Sequence, residues 1–174
     1  MASTLKVQNI AHTGGTVAAT IDSNGFMFPK LPHFLIRNTS AQTVAANTYT
    51  RCVFDNTVLD THSFADLSNN KINFTATTAG VYHITFGGKW NNITANRIGY
   101  WIRKEGSMNT GPYIGYYEAT SPSATFVYPT FSFMHNFTSG SFLELDLYQT
   151  GSGNATTYPS AQALGFFMQG FRIG

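Results

Sequence analysis

The chain has 174 residues, of which 10% are charged and 15% are aromatic, and its formal net charge is +2. This length suits about one domain with its own core, and the charged fraction is far below the roughly 25% of an ordinary soluble protein. The few cations form no cluster, which argues against nucleic-acid binding, and no run of about 18 apolar residues predicts a membrane span.

Residues 1–30 differ from the rest of the chain. Two short β-capable segments, STLKVQNI and VAATID, are each followed by a turn, and the prolines of FMFPKLP come next. So short a segment cannot bury a core of its own, so we predict an anchoring arm that lies along another surface or chain. Its first residues lack a basic stretch followed by an apolar one, so no secretory signal is expected.

Residues 31–174 alternate apolar and polar side chains in short blocks separated by turn residues, with no 3.6-residue period. This pattern predicts an all-β sandwich or barrel of about eight strands. The blocks are HFLIR, YTRCVFD, KINFTAT, GVYHITFGGKW, RIGYWIRKEG, SATFVYPTFSFMHNF, SFLELDLYQT and AQALGFFMQGFRI.

Period two is clearest in two neighbouring blocks. In FLELDLY the three leucines face away from Glu144 and Asp146. In FSFMHNF one face carries Phe131, Phe133, His135 and Phe137. The turn TSGS at 138–141 joins FSFMHNF to FLELDLY, so we predict that these two blocks form a hairpin.

Four motifs occur in an order that resembles the jelly roll of complement component one-q and tumour necrosis factor. They are CVFDNTVLD at 52–60, INFTATTAGVYHITF at 72–86, FSFMHNFTSGSFLELDLYQ at 131–149 and FFMQGFRIG at 166–174. The resemblance covers about residues 31–174 and implies an antiparallel jelly-roll β-sandwich head behind a short N-terminal β-arm. Ser141 stands where the family often has Asp, which weakens any argument for calcium in that loop.

The resemblance also implies a homotrimer. The 15 Phe and 9 Tyr exceed what one core of this size needs, and in this family an outer sheet packs three copies around an axis. Obligate interfaces are rich in such aromatic side chains. The predicted trimer-interface residues are Phe34, Tyr82, Phe131, Phe133, His135 and Phe171.

The opening STLKVQNI…GGTVAATIDSNGFMFPKLPHF is similar to the segment that precedes such domains in fibre and appendage proteins of tailed phages, particularly marine ones. This implies a virion structural protein made in the host cytoplasm, with residues 1–30 bound to other virion proteins. The leading hypothesis is a tail-fibre or spike head that attaches to a host surface glycan or protein. The alternatives are a capsid decoration or cement protein, a soluble complement-like binding module and a carbohydrate-active enzyme.

Aromatic side chains with polar neighbours mark a possible sugar-binding site, because a pyranose has an apolar face and a polar rim. The alternative for Trp90 and Trp101 is a place in the core or in a subunit contact. The candidate ligand-binding residues are Trp90, Asn92, Arg97, Trp101 and Tyr116.

No pattern of catalytic or metal-binding residues is evident, so we expect no enzyme activity, no metal and no cofactor. The 5 His lack metal-ligand spacing, although a threefold axis would bring three copies of one His together. A glycosidase needs two carboxylates that face each other across a cleft. Glu144 and Asp146 are predicted to share a strand face, but two such residues on one strand are commonplace on a solvated surface. Cys52 is predicted to be a small buried hydrophobe, and a nucleophilic role is the alternative.

Overall fold

The computed structural model describes residues 7–15, 17–93, 95–104, 113–120, 124–158 and 165–173. Its regular elements are all β-strands, and none of the described segments forms a helix long and apolar enough to cross a membrane. The chain divides into two compact units, residues 1–32 and residues 33–174.

The first unit is a three-stranded antiparallel sheet with strands β1 (Asn9–Ala11), β2 (Val17–Ile21) and β3 (Met27–Pro29) in that order. Asp22 closes the turn between β2 and β3 because its carboxylate accepts the backbone N–H of Asn24 and Phe26, each at 2.9 Å. Ala19 is buried, whereas Phe26 is 66% exposed. A sheet that buries so little is marginal by itself, in keeping with the short segments of the sequence; its role as an anchor stays a prediction.

The second unit contains the remaining strands. They are β4 (His33–Arg37), β5 (Thr43–Val44), β6 (Thr50–Arg51), β7 (Asn56–Asp60), β8 (Ala65–Asp66), β9 (Lys71–Asn73), β10 (Gly80–Gly87), β11 (Trp90–Ile93), β12 (Ala95–Arg103), β13 (Tyr113–Thr120), β14 (Ala124–Val127), β15 (Thr130–Phe137), β16 (Phe142–Gly151), β17 (Ala155–Thr157) and β18 (Phe167–Arg172).

Three antiparallel sheets organise these strands. The five-stranded sheet has the order β15-β10-β18-β4-β7. The second sheet has the order β13-β12-β16-β9-β8, and β6 also pairs with β16. A smaller sheet, β14-β11-β17-β5, completes the unit. Apart from the consecutive pairs β12–β13 and β8–β9, neighbouring strands in these sheets are not consecutive along the chain, as in a Greek-key or jelly-roll topology.

One hydrophobic core lies between the five-stranded sheet and the sheet that contains β12 and β16. Phe86 of β10 meets Tyr100 of β12 edge to face, with ring centroids 5.1 Å apart. Phe74 stacks on Phe137 at 4.0 Å. Every second residue of β10, from Tyr82 to Phe86, is fully buried. Because side chains alternate along a strand, one face of each sheet packs in the shared interior. The predicted β-sandwich is present.

The predicted hairpin over residues 138–141 is wrong in its pairing. The turn itself forms, with Gly140 at a φ of 86° and the Ser141 N–H donating to Thr138 O at 3.2 Å. However, β15 pairs with β10, whereas β16 pairs with β12, β9 and β6. The turn therefore carries the chain from the five-stranded sheet to the sheet that contains β16. Both strands then turn an apolar face toward the interior between the two sheets.

Candidate functional site

Strand alternation turns one face of the five-stranded sheet away from the core. Cross-strand pairing arranges its side chains in rows, and two adjacent rows form what we call the five-strand face; the next row along the strands contains Arg37. The first row is His33, Phe171, His83 and Met134, and the second is Leu59, Leu35, Gln169, Thr85 and Ser132.

The five-strand face has exposed apolar side chains, and neither of its two rows contains an acidic residue. Phe171 is 46% exposed and Met134 is 67% exposed. The rings of His83 and Phe171 lie 5.2 Å apart, and Thr85 and Ser132 share a hydrogen bond of 2.8 Å. A contiguous surface that is apolar and poor in charge has the composition of the centre of a subunit interface.

The sandwich is open at one edge, where β15 and β13 are the outermost strands of their sheets. We call this the open edge. Phe131 and Phe133 point inward here but are only partly buried, and Phe131 lies 6.1 Å from the ring of Tyr117 on β13. His135 is also partly buried, and its Nε2 atom has no hydrogen-bond partner among the described residues. Burial, followed by the charge of Lys104, lowers the pKa of His135.

Two of the predicted trimer contacts require correction. Phe34 is 2% exposed and Tyr82 is 0% exposed. Both lie on the inner face of the sheet, and the Tyr82 hydroxyl donates to Thr78 O at 2.6 Å. A side chain that is buried within its own protomer cannot form the surface of a subunit contact. The outward neighbour of Tyr82 is His83, whereas Phe171 is outward as predicted, and the contact itself stays a prediction.

The outer face of the other sheet gathers three of the predicted ligand-binding residues. Trp101 and Arg97 of β12 point outward, and so does Tyr116 of β13, the register partner of Trp101. Trp90 is different, because it is 0% exposed in the core and its indole N–H donates to Tyr100 Oη at 3.2 Å; its assignment to a ligand site is wrong. The side chain of Asn92 lies outside the part of the chain that the structure describes.

The Trp101 indole occupies an aromatic cluster that the sequence motifs did not predict. Tyr49 and Tyr148 flank it at centroid distances of 5.1 Å and 5.2 Å, and Tyr116 stacks on it at 6.3 Å with an interplanar angle of 20°. Gly99 permits this arrangement, because a Cβ there would lie 2.2 Å from the Trp101 ring. The indole therefore lies against the strand.

A charge network beside this cluster was also missed. Glu144 and Asp146 share the outer face of β16, as alternation predicted, but neither is free. Arg51 Nε donates to Asp146 Oδ1 at 2.7 Å and its Nη1 pairs with Glu144, while Arg103 Nε pairs with Asp146 Oδ2. Arg103 and Asp146 are 0% exposed. Carboxylates held in this way cannot reach a substrate, so this pair is structural.

The same network shifts the ionisation of Arg51. Burial opposes its charged form, but the hydrogen bond to Asp146 and the charges of Asp146 and Glu144 outweigh burial and raise the pKa of Arg51. Arg103 alternates with Trp101 along β12, which is the signal that could have placed it on this face. Its pairing with a residue 43 positions away could not be read from local pattern.

The described residues offer no group of three His, Cys, Asp or Glu side chains that could hold a metal ion. Cys52 is 0% exposed, and its backbone N–H donates to Leu145 O at 2.8 Å. Burial raises the pKa of the Cys52 thiol, which keeps it protonated. Cys52 is therefore a small core residue, as predicted, because a thiolate is what a nucleophilic cysteine requires.

By sequence, the chain matches neither a protein-family profile nor a curated protein. Its fold is similar to that of several solved structures. Murine APRIL at pH 5.0 has a TM-score of 0.63 and 12% identity over 83% of this chain and 100% of that one. The globular domain of zebrafish complement 1qA protein has a TM-score of 0.56 and 11% identity over 82% and 98%. Eiger TNF from S. frugiperda has a TM-score of 0.62 and 10% identity over 83% and 93%.

These likenesses establish the fold and nothing finer, because the identities are 12% or lower. The chain has the jelly roll of tumour necrosis factor and complement 1q domains, which confirms the predicted fold class. A phage origin and the identity of any partner stay predictions.

Proposed function

We propose that the chain is a non-enzymatic module that works as a homotrimer on the surface of a tailed-phage particle and attaches the particle to its host. The observation that carries the trimer is the five-strand face. Its two rows present Phe171, Met134 and Leu59 to water, each at least 43% exposed, and neither row contains an acidic residue. A second copy of the same chain is the occupant that we assign to it.

The open edge supplies the complementary surface. Phe131, Phe133 and His135 are all only partly buried there. Edge on face is a heterologous contact, which generates a closed ring when the rotation closes, and the resemblance to tumour necrosis factor and complement one-q domains favours three copies.

Two variants test this geometry. Phe171→Asp damages the face and leaves the edge intact, whereas Phe133→Ser damages the edge and leaves the face intact. Each variant alone should be monomeric with native circular dichroism. Mixed at high concentration, they should form a heterodimer through the one remaining intact contact and no closed trimer. A trimeric mass for either variant alone would contradict the proposed contact.

The first unit is assigned the anchoring role. Its sheet leaves Ile10, Phe26 and Met27 exposed at 45%, 66% and 60%, and its sequence is similar to the opening of phage fibre and appendage proteins. Removing residues 1–32 should leave a folded trimer that no longer joins the particle. Unfolding of the truncated protein would place the segment in the core of the head. Cross-linking of the full chain to a tail protein supports the fibre or spike role, and cross-linking to the capsid lattice supports the decoration role.

A further inference from the structure

The outer face of β12 and β13 carries an exposed aromatic ring with a fixed backing. Tyr116 is 64% exposed although it stacks on Trp101. Trp101 is only 9% exposed, because Tyr49 and Tyr148 contact it from the side and Gly99 lets it lie flat on the strand. The Tyr116 ring is therefore an apolar platform that has the Trp101 indole stacked against it and most of its own surface open to solvent.

A polar rim stands beside this platform. Arg97 Nη1 contacts Glu118 Oε2 at 3.2 Å, and these side chains are 55% and 30% exposed. Glu118 and Tyr116 are alternate residues on one strand face, so they lie about 7 Å apart. The guanidinium has five donors and the carboxylate has several acceptor sites, which leaves most of the hydrogen-bonding capacity of this pair available to a ligand.

We infer that this platform and rim bind a neutral hexopyranose unit of a glycan. The apolar C–H face of the sugar would lie on Tyr116, and adjacent hydroxyl groups would bind Arg97 and Glu118 through charge-assisted hydrogen bonds. The inference rests on the proposed function for its context, since it names the ligand class of the attachment role. The site itself lies within one protomer.

The charges on this face favour a neutral sugar over other ligands. Arg97 is balanced by Glu118, and Arg51 and Arg103 are balanced by the two carboxylates of β16. An acidic sugar or a single nucleic-acid strand would need an excess of positive charge beside the stacking ring. The rim instead offers both donors and acceptors, which is the requirement of a hydroxyl group that donates and accepts at once.

Nuclear magnetic resonance offers a direct test because the chain has 2 Trp and so two indole N–H signals. The probes are maltotriose, cellotriose and chitotriose at millimolar concentration, with tri-galacturonic acid as the charged comparison. At least one neutral trisaccharide should shift the Trp101 signal in a saturable manner. The Trp90 signal should not move, because Trp90 is fully buried in the core.

Variants at one position provide the second arm. Tyr116→Ala should weaken binding at least tenfold, whereas Tyr116→Phe should bind as the natural chain does because it keeps the stacking ring. Tyr128→Ala is the matched control, since Tyr128 is 42% exposed and lies outside β12 and β13. Binding that persists unchanged in Tyr116→Ala would overturn the inference, and so would a preference for the charged trisaccharide.

The outcome also separates this inference from the proposed assembly. A trimeric mass without any shift of the Trp101 signal would overturn the sugar site and leave the trimer standing. A monomeric mass with saturable binding at Trp101 would support the sugar site and overturn the proposed trimer.

Discussion

The ring centroids of His83 and Phe171 lie 5.2 Å apart on the five-strand face, where Phe171 is 46% exposed. Register places them side by side on β10 and β18, in the middle of the first row of the five-strand face. Phe171→Asp should therefore abolish assembly while the protomer stays folded, because the contact would have to bury a charged carboxylate in a mainly apolar surface. Val53→Asp is the control, since Val53 is 40% exposed and lies outside that face. Light scattering on both variants gives the answer; a monomer for Val53→Asp or a trimer for Phe171→Asp would count against the assignment.

The close approach of Gly99 to Trp101 gives a second prediction. A Cβ at Gly99 would lie 2.2 Å from the indole, so Gly99→Ala should displace the ring and cost about 1–3 kcal/mol of unfolding free energy. Gly115→Ala on the neighbouring strand is the control, because its nearest contact is the flexible end of Ile102 at 3.3 Å. Urea unfolding and the Trp101 indole signal are the measurements. Equal effects of the two changes would show that the indole does not depend on Gly99.

The charge network predicts a contrast between a buried and an exposed carboxylate. Asp146→Ala leaves Arg103, which is 0% exposed, without its Asp146 partner, and breaking such a buried pair typically costs about 3–5 kcal/mol. Glu118→Ala breaks the exposed contact with Arg97, for which a loss of at most about 1 kcal/mol is expected. Urea unfolding of both variants at neutral pH compares them. A mild effect at Asp146 would mean that Arg103 finds compensation elsewhere.

His135 predicts a loss of stability in mild acid. Its pKa in the folded protein is lowered from 6.5, first by burial and then by Lys104. The unfolded chain therefore binds a proton at a pH where the folded chain does not, so stability is complete above about pH 6.5 and falls as the pH is lowered toward the folded pKa. The urea midpoint should decline over this window, and His135→Gln should flatten the decline. A profile that the substitution leaves unchanged would assign the decline to other groups.

Local pattern predicted much of this molecule because strand alternation is a local property. It placed the leucines of β16 opposite Glu144 and Asp146, and it placed Phe131 and Phe133 on one face. The assignment of Tyr82 to a subunit contact followed from the family resemblance and was wrong, because the second sheet covers the face of β10 that carries Tyr82, Ile84 and Phe86. The turn at 138–141 failed for a related reason, since a turn signal does not reveal whether the next strand stays in the same sheet. Long-range pairs such as Arg103 and Asp146 depend on sheet order, which no local pattern encodes.

The central claim is that three copies of this chain close into a ring through the five-strand face and the open edge. The most direct measurement is the mass of the purified full chain by light scattering at micromolar concentration, since obligate contacts that bury more than about 2,000 Å² persist at such dilution. A closed ring of three copies has three times the 19.1 kDa of one chain, and this is the mass that we expect. A stable species of 19.1 kDa would contradict it.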